Sequence, residues 1–411
     1  MVNDKILNEF AKLAVKIGTN VLKGQPIQIS GPIEAYEFIR KCAKVAYEAG
    51  ASQVFVDYDD NVLTRLAYEN VATDILKEVP SWKIEKTKYG IEKGVCMLRI
   101  ISPDPDLLDG IDASKIKEVQ MAAVKANAPF RYYTMSNVGQ WSIVAYPNVV
   151  WAKKVFPGLS DEEAMEKLWD AILFASRVSE DGDVEKAWNE HNAEIKVHSS
   201  KMNEYNFESL HFINGLGTDL VVDLAKNHIW EGGNDKASNG SIFNPNIPTE
   251  EVFTMPDCHN INGKVVATKP LAYGGKLIDG FELVFKDGKV VEYHAKENEE
   301  VLKNMLETDE GAKSLGEVAL ISYDSPISKS NILFYNTLFD ENASCHLALG
   351  NCYPTNIKGG TEMTPEDLLA AGGNKSMIHV DFMFGSEDMN VYGKTFDGEI
   401  IQVFKDGNFN I

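Results

Sequence analysis

The sequence predicts a mixed α/β chain of two domains. An N-terminal doubly wound, parallel α/β domain is expected over residues 1–205, and a C-terminal α+β domain with a largely antiparallel sheet over residues 206–411. Three observations carry this. At 411 residues the chain is too long for one ordinary hydrophobic core. Its first half alternates strand-like and helix-like segments, the rhythm of parallel βαβ units. Its second half consists of alternating apolar and polar runs parted by Gly or Asp-Gly, the signature of antiparallel hairpins.

The chain opens with MVNDKILNEFAKLAVKIGTNVL. Ile6, Phe10, Leu13, Ala14 and Ile17 recur there at helical spacing behind early acidic residues, so it reads as an amphipathic helix rather than a signal peptide. PIQIS (26–30) is the first strand, followed by the helical EAYEFIRKCAKVAYEAG. QVFVDYD (53–59) and the helical VLTRLAYENVATDILKEV come next, then CMLRIIS (96–102) and a helix through IKEVQMAAVKAN. WSIVAYP is the fourth strand, ahead of helices from Asn148 to Phe156 and from Ser160 to Val178. SEDGD at 179–183 breaks the pattern and a charged helix runs on to Met202, which sets the boundary near residue 205. After the first strand, SGPIEAYEF carries a single Gly, so a dinucleotide site is not supported. Beyond the boundary LHFINGLGTDLVVDL, KLIDGFELVFKDGKVVEYHA and GEIIQVFKDGNFNI read as hairpins. VFKDG occurs at 284–288 and again at 403–407, the same turn used twice.

Composition narrows the function. With 44% hydrophobic and 25% charged residues the chain has the make-up of a soluble globular protein. A net charge of −21 repels nucleic acid and anionic membrane, and tolerates a cationic ligand such as the free amino terminus of a peptide. The five cysteines, Cys42, Cys96, Cys258, Cys345 and Cys352, are scattered and lack any C-x-x-C pair. That argues against a disulfide framework or a thiolate zinc site, and for a reducing, cytoplasmic location. No apolar run approaches membrane-spanning length.

Four segments of the second half offer oxygen or nitrogen donors among apolar neighbours. FDENASCHLALGNCYP (339–354) places Asp340, Glu341, His346 and Tyr353 close together, where charge is costly unless it is paired or holds a metal. Glu341 and His346 are five apart, off any single helical face, so a bend must bring them together. Tyr353 lies just past a Gly-Asn turn and can reach back into the same cavity, while Cys345 and Cys352 read as small core residues. In NIPTEEVFTMPD (246–257), Glu251 shares a face with Phe253 and Glu250 with Val252, so one glutamate should point inward unless the pair is a solvated edge. In KSLGEVALISYDSP (313–326), Glu317 stands alone among small and apolar residues, either capping a wet strand end or buried with a partner. In SMIHVDFMFGS (376–386), His379 and Asp381 project to the same side of a strand, about 6–7 Å apart. That spacing suits two ligands of one zinc or cobalt centre, and equally a hydrogen-bonded His–Asp pair.

Together these segments supply four carboxylates and two histidines: Glu251, Glu317, Glu341, His346, His379 and Asp381. A two-metal hydrolytic centre needs such a set, since one carboxylate must span both ions. Two other readings remain. A two-metal phosphoesterase would want basic residues nearby, and only Lys313 and Lys329 stand at the margins. A non-catalytic, metal-stabilised binding protein would saturate the ions and leave no position for water.

At these residues the sequence closely resembles the M29 family of metallo-aminopeptidases, of the aminopeptidase T and aminopeptidase S type. The matching elements are PTEEVFT with Glu251, LGEVALIS with Glu317, LFDENASCHLALG with Glu341 and His346, and HVDFMFGS with His379 and Asp381, in order along the full chain. The resemblance implies that these six residues, with Glu251 rather than Glu250, ligate two divalent ions per subunit, zinc or cobalt or else magnesium or manganese. It implies that Glu317 bridges the ions, that Tyr353 is a phenol assisting catalysis, and that the subunits form a homodimer acting on peptides with a free N-terminus. The mechanism expected has Glu317 or Glu341 carrying a proton to the leaving amine and Tyr353 hydrogen-bonding the oxyanion.

Overall fold

The computed structural model describes residues 2–274 and 276–411. They form two compact units, one running to Glu190 and taking in Asn234–Pro248, the other made of His191–Gly233 and Thr249–Ile411.

In the first unit the strand–helix alternation yields β1 (Pro26–Pro32), β2 (Gln53–Asp59), β3 (Cys96–Ile101) and β4 (Trp141–Ala145), all parallel in the order β2-β1-β3-β4. The opening helix Asp4–Lys12 passes into a π-helical turn at Leu13–Thr19, and Phe10, Leu13 and Ala14 of its apolar stripe are fully buried. Phe10 stacks on Phe38 of the helix Tyr36–Glu48 at 4.9 Å and meets Trp169 of the helix Asp161–Ala175 edge-on. The single helix expected over 62–79 is two, Asn61–Asn70 and Thr73–Leu76. The break falls at Val71, which is extended, while the Asn70 amide donates back to the Leu66 carbonyl. Helices Ser81–Glu92 and Ala128–Met135 carry no strong apolar stripe in the sequence, and they appear only in the structure.

The chain then forms β5 (Phe207–Ile213) and β6 (Asp219–Leu224) of the second unit. It returns to the first unit for the short hairpin β7 (Asp235–Lys236) and β8 (Ile242–Phe243). The rest of the second unit follows: β9 (Val252–Thr254), β10 (Pro256–Val266), β11 (Leu271–Tyr273), β12 (Lys276–Ile278), β13 (Glu282–Lys286) and β14 (Lys289–His294). Next come β15 (Leu315–Leu320), β16 (His346–Gly350), β17 (His379–Met383), β18 (Asn390–Thr395), β19 (Ile400–Lys405) and β20 (Asn408–Phe409). A large antiparallel sheet has the order β14-β13-β10-β6-β5-β18-β19-β20. Both copies of the repeated Asp-Gly turn have positive φ at each residue, 49° and 81° at Asp287 and Gly288, 48° and 75° at Asp406 and Gly407. This is the twist that a two-residue hairpin demands.

A smaller antiparallel sheet, β17-β16-β15-β9, holds the candidate donors. Its register sets Ala319 opposite both His346 and Phe253, Ala348 opposite both Glu317 and Asp381, and Gly350 opposite His379. Directly opposed residues share a face and side chains alternate along each strand. Phe253, Glu317, His346, His379 and Asp381 therefore project from one face, with Ala319, Ala348 and Gly350 leaving room between them. The opposite face is Val252, Val318, Leu320, Leu347, Leu349 and Phe382, all buried in one core with Phe212, Ile261 and Leu283 of the large sheet. Hydrophobic burial thus orients the small sheet, and strand periodicity delivers the donors to its other side.

Glu317 shares that face with Ala319 by alternation, and a bulge lies just before it. Leu315 pairs with Leu349 and Glu317 with Ala348, so Gly316 has no partner in the ladder. A Cβ at Gly316 would run into the backbone of Asn351 and Gly350. Gly316→Ala is therefore expected to cost about 1–3 kcal/mol of stability by overpacking, and to lower activity by more than that loss explains because Glu317 shifts with the bulge. Chemical denaturation alongside steady-state kinetics checks this, and unchanged values in both would contradict it.

Candidate metal centre

Glu317 stands between two imidazoles. Its Oε1 lies 3.3 Å from Nε2 of His346 and its Oε2 lies 3.6 Å from Nε2 of His379. Glu251 Oε2 approaches the same nitrogen of His346 at 3.1 Å, and Asp381 Oδ1 approaches that of His379 at 3.4 Å. Two donor triplets result, Glu251–Glu317–His346 and Glu317–His379–Asp381, each with its donor atoms within 4.8 Å of one another. Glu317 belongs to both.

The histidines are oriented from behind. Nδ1 of His346 donates to the Glu341 carbonyl at 3.0 Å, and Nδ1 of His379 donates to the Asn351 carbonyl at 2.7 Å. A carbonyl only accepts, so the proton belongs on Nδ1 and Nε2 is turned toward the carboxylates, the arrangement a metal-binding imidazole uses.

The bend required between Glu341 and His346 is the 3-10 turn Glu341–Ala343, which follows the short helix Thr337–Asp340. Burial, with Asp381 and Glu251 nearby, pushes the Glu341 carboxyl well above its usual range. Glu341 stands beside the two triplets without entering either. Asp340 turns away from them and accepts the backbone N–H groups of Phe334 and Asn336 at 2.8 and 2.9 Å. The Tyr353 ring meets His379 edge-on at 4.8 Å and Phe253 at 6.1 Å. Burial and the carboxylates of Glu317 and Asp381 push its phenol well above its ordinary value, so it is a proton donor at neutral pH.

Of the pair Glu250 and Glu251, Glu251 is buried and joins the donors. Glu250 is of intermediate burial, and its side chain, 7% exposed, lies 3.8 Å from Nε2 of His191. Asn342 Oδ1 accepts the Glu250 N–H at 2.7 Å, tying this strand to the turn that carries Glu341. Sequence reasoning missed Asn342, Asn351 and His191 as supports. The neighbourhood of Asn342 and Asn351 to the donors in FDENASCHLALGNCYP was the one available signal.

The donor set fits divalent cations. Three carboxylates converge on two imidazoles with Glu341 beside them, and among the described residues no lysine or arginine pairs with any of them within 4 Å. Glu317 is pushed up by burial against its His346 hydrogen bond. Asp381 is held down, against burial, by His379. Burial alone would lower both histidines, yet Glu251 and Glu317 hold His346 well above its usual value, and Asp381 and Glu317 raise His379 to about 9. The cluster gathers protons where cations would serve. The buried Oδ1 of Asp381 accepts no hydrogen bond.

A pH dependence follows. The raised His379 stabilises the metal-free fold fully below the free imidazole value of 6.5, and that contribution is lost as pH rises through about 9. Below about 9 an incoming cation must displace this proton, so metal uptake strengthens as pH rises from 6 toward 9, with net proton release. Calorimetric titration in buffers of different ionisation enthalpy measures it. Uptake without proton release at pH 7 would contradict the charge pattern.

A mixed α/β scaffold that presents joined carboxylate–imidazole triplets on a sheet face defines a metallohydrolase. The chain belongs to the M29 family of thermophilic metalloproteases, whose family model matches residues 3–409. It is 44% identical over 406 residues to "Aminopeptidase 2" of Geobacillus stearothermophilus, covering 99% of this chain and 98% of that protein. It is 44% identical over 403 residues to "Aminopeptidase AmpS" of Bacillus subtilis (strain 168), covering 98% of each. A solved structure described as wild-type AmpT from Thermus thermophilus superposes with a TM-score of 0.92 at 40% identity, covering 99% of both chains.

Proposed function

We propose that the protein is a metal-dependent aminopeptidase that releases N-terminal amino acids from peptides, with Glu251, Glu317, Glu341, His346, His379 and Asp381 holding two divalent ions, zinc or cobalt or else magnesium or manganese. The observation that carries this reading is the placement of Glu317, one carboxylate oxygen toward each imidazole. The names of the relatives supply the substrate class, peptides with a free N-terminus. When bound, such ions lower the pKa of water toward neutrality and polarise a carbonyl.

The chain's own groups do the rest. Glu317 or Glu341, each with raised affinity for protons, accepts the proton of the attacking water and delivers it to the leaving amine. Tyr353, protonated at neutral pH, donates to the developing oxyanion. The surplus of carboxylates attracts the substrate ammonium. The phosphoesterase reading loses support, since Lys329 is paired with Asp324 at 3.2 Å and Lys313 is exposed.

Three further elements belong to the proposal: an N-terminal doubly wound domain over 1–205 with a catalytic domain over 206–411, a homodimer, and a cytoplasmic location. The three antiparallel sheets formed by the described residues of the second unit lie after residue 205, which supports the first, although the compact units part at Glu190 and the first unit takes in Asn234–Pro248. Five free cysteines suit a reducing compartment, and among the described residues no helix is long and apolar enough to cross a membrane.

The test strips the protein with a chelator, reloads it with zinc or cobalt, and assays an aminoacyl anilide, its N-acetylated form and a phosphate ester. The proposal expects activity on the free-amine anilide alone, lost on stripping and regained on reloading. An unchanged rate after stripping would sink it.

A further inference from the structure

We propose that Asp257, Cys258 and His259 form a second, separate metal site, one that takes a thiophilic divalent cation of the zinc type. In β10 the ladder to β6 breaks between Pro256, opposite Leu224, and Ile261, opposite Val222. Residues 257–260 therefore stand against the single residue Asp223. Three consecutive strand residues would ordinarily alternate in direction. Across this bulge their donor atoms instead come within 4.8 Å of one another.

The geometry suits a tetrahedral ion. Cys258 Sγ lies 3.7 Å from Nε2 of His259, and a thiolate and an imidazole on one zinc stand about 3.5 Å apart, given bonds near 2.3 and 2.0 Å. The Asp257 carboxylate is fixed by accepting the His259 N–H at 3.0 Å and the Asn260 amide at 2.9 Å. Carbonyl oxygens close the other side: Nε2 of His259 donates to the Leu369 carbonyl at 3.3 Å and the Cys258 thiol donates to the Gly373 carbonyl at 3.6 Å, so an ion entering here displaces both protons. Gly372 accepts the Cys258 N–H at 2.8 Å, and a Cβ at Gly372 would crowd the Asp257 carboxylate at 3.3 Å, so the glycine keeps this cradle open. His259 is exposed and Asp257 half-buried, which gives an ion a way in from solvent.

The scattered cysteines, read as sequence, argue against any thiolate site. The bulge supplies the convergence that C-x-x-C spacing would otherwise provide. A thiolate with an imidazole and a carboxylate selects zinc-like ions over magnesium or calcium. An ion here would tie the bulge to the segment that leads into β17, the strand bearing His379 and Asp381.

Cobalt(II) titration of the metal-free full-length protein tests this. Thiolate coordination produces a near-ultraviolet charge-transfer absorption, and the donor cluster on the small sheet contains no sulfur. The band is expected to appear, to vanish in Cys258→Ser and to persist in Cys352→Ser. His259→Ala should weaken the cobalt affinity read from this band at least about tenfold. Visible cobalt absorption and peptidase activity in Cys258→Ser report the main centre separately. Absence of the charge-transfer band at saturating cobalt, or its survival in Cys258→Ser with native thermal unfolding, would overturn the proposal.

Discussion

Glu317→Gln is expected to abolish turnover, lowering kcat/KM by about 10,000-fold, the upper end of what a single positioned proton-transfer group contributes. The reason is that Glu317 serves both donor triplets, facing His346 with one oxygen and His379 with the other. The amide keeps the shape but loses the charge, and one of its two ends becomes a donor that repels a cation. Both halves of the site should weaken together, so metal content after dialysis should fall for the whole centre and not for one ion. The fold should survive, because residue 317 lies in a strand whose other face is packed in the apolar core. Activity assays, elemental analysis and thermal unfolding in parallel separate these effects.

Tyr353→Phe should give the complementary signature: kcat reduced about 100- to 1,000-fold, the range found when one oxyanion donor is removed, with KM and metal content close to unchanged. The ring packs against His379 and Phe253, and phenylalanine retains that packing. Only the hydroxyl is lost. Because burial and the neighbouring carboxylates keep the phenol protonated well above neutral pH, the wild-type protein should show no loss of rate from its ionisation between pH 6 and 9. A variant with wild-type kcat would remove Tyr353 from the mechanism. A variant with reduced metal content would mean that the phenol supports the ions instead.

What could be read from the sequence tracks where the physics is local. β1 to β4 emerge from their apolar runs, and the hairpins from the Asp-Gly pairs at 287–288 and 406–407. Period two put His379 beside Asp381 and Glu251 beside Phe253, and the structure carries those pairs to one face. What was hidden depends on contacts distant in sequence. The helices Ser81–Glu92 and Ala128–Met135 lack a strong apolar stripe, and the break at Val71 rests on a side-chain bond from Asn70. The placement of Glu250 depends on His191 and Asn342, which lie 59 and 92 residues away. Alternation placed Glu317 in line with Ala319, as found, but the bulges at Gly316 and at Asp257–Asn260 were not legible: the first turns Leu315 to the core face, and the second gathers three consecutive side chains.

The central claim is that Glu317 joins two cation sites. Anomalous diffraction from crystals of zinc-loaded protein, measured above and below the zinc edge, tests it most directly. The account predicts two peaks on the small sheet, one beside Nε2 of His346 and one beside Nε2 of His379, with Glu317 reaching both. A single peak, or two peaks neither of which touches Glu317, would contradict it.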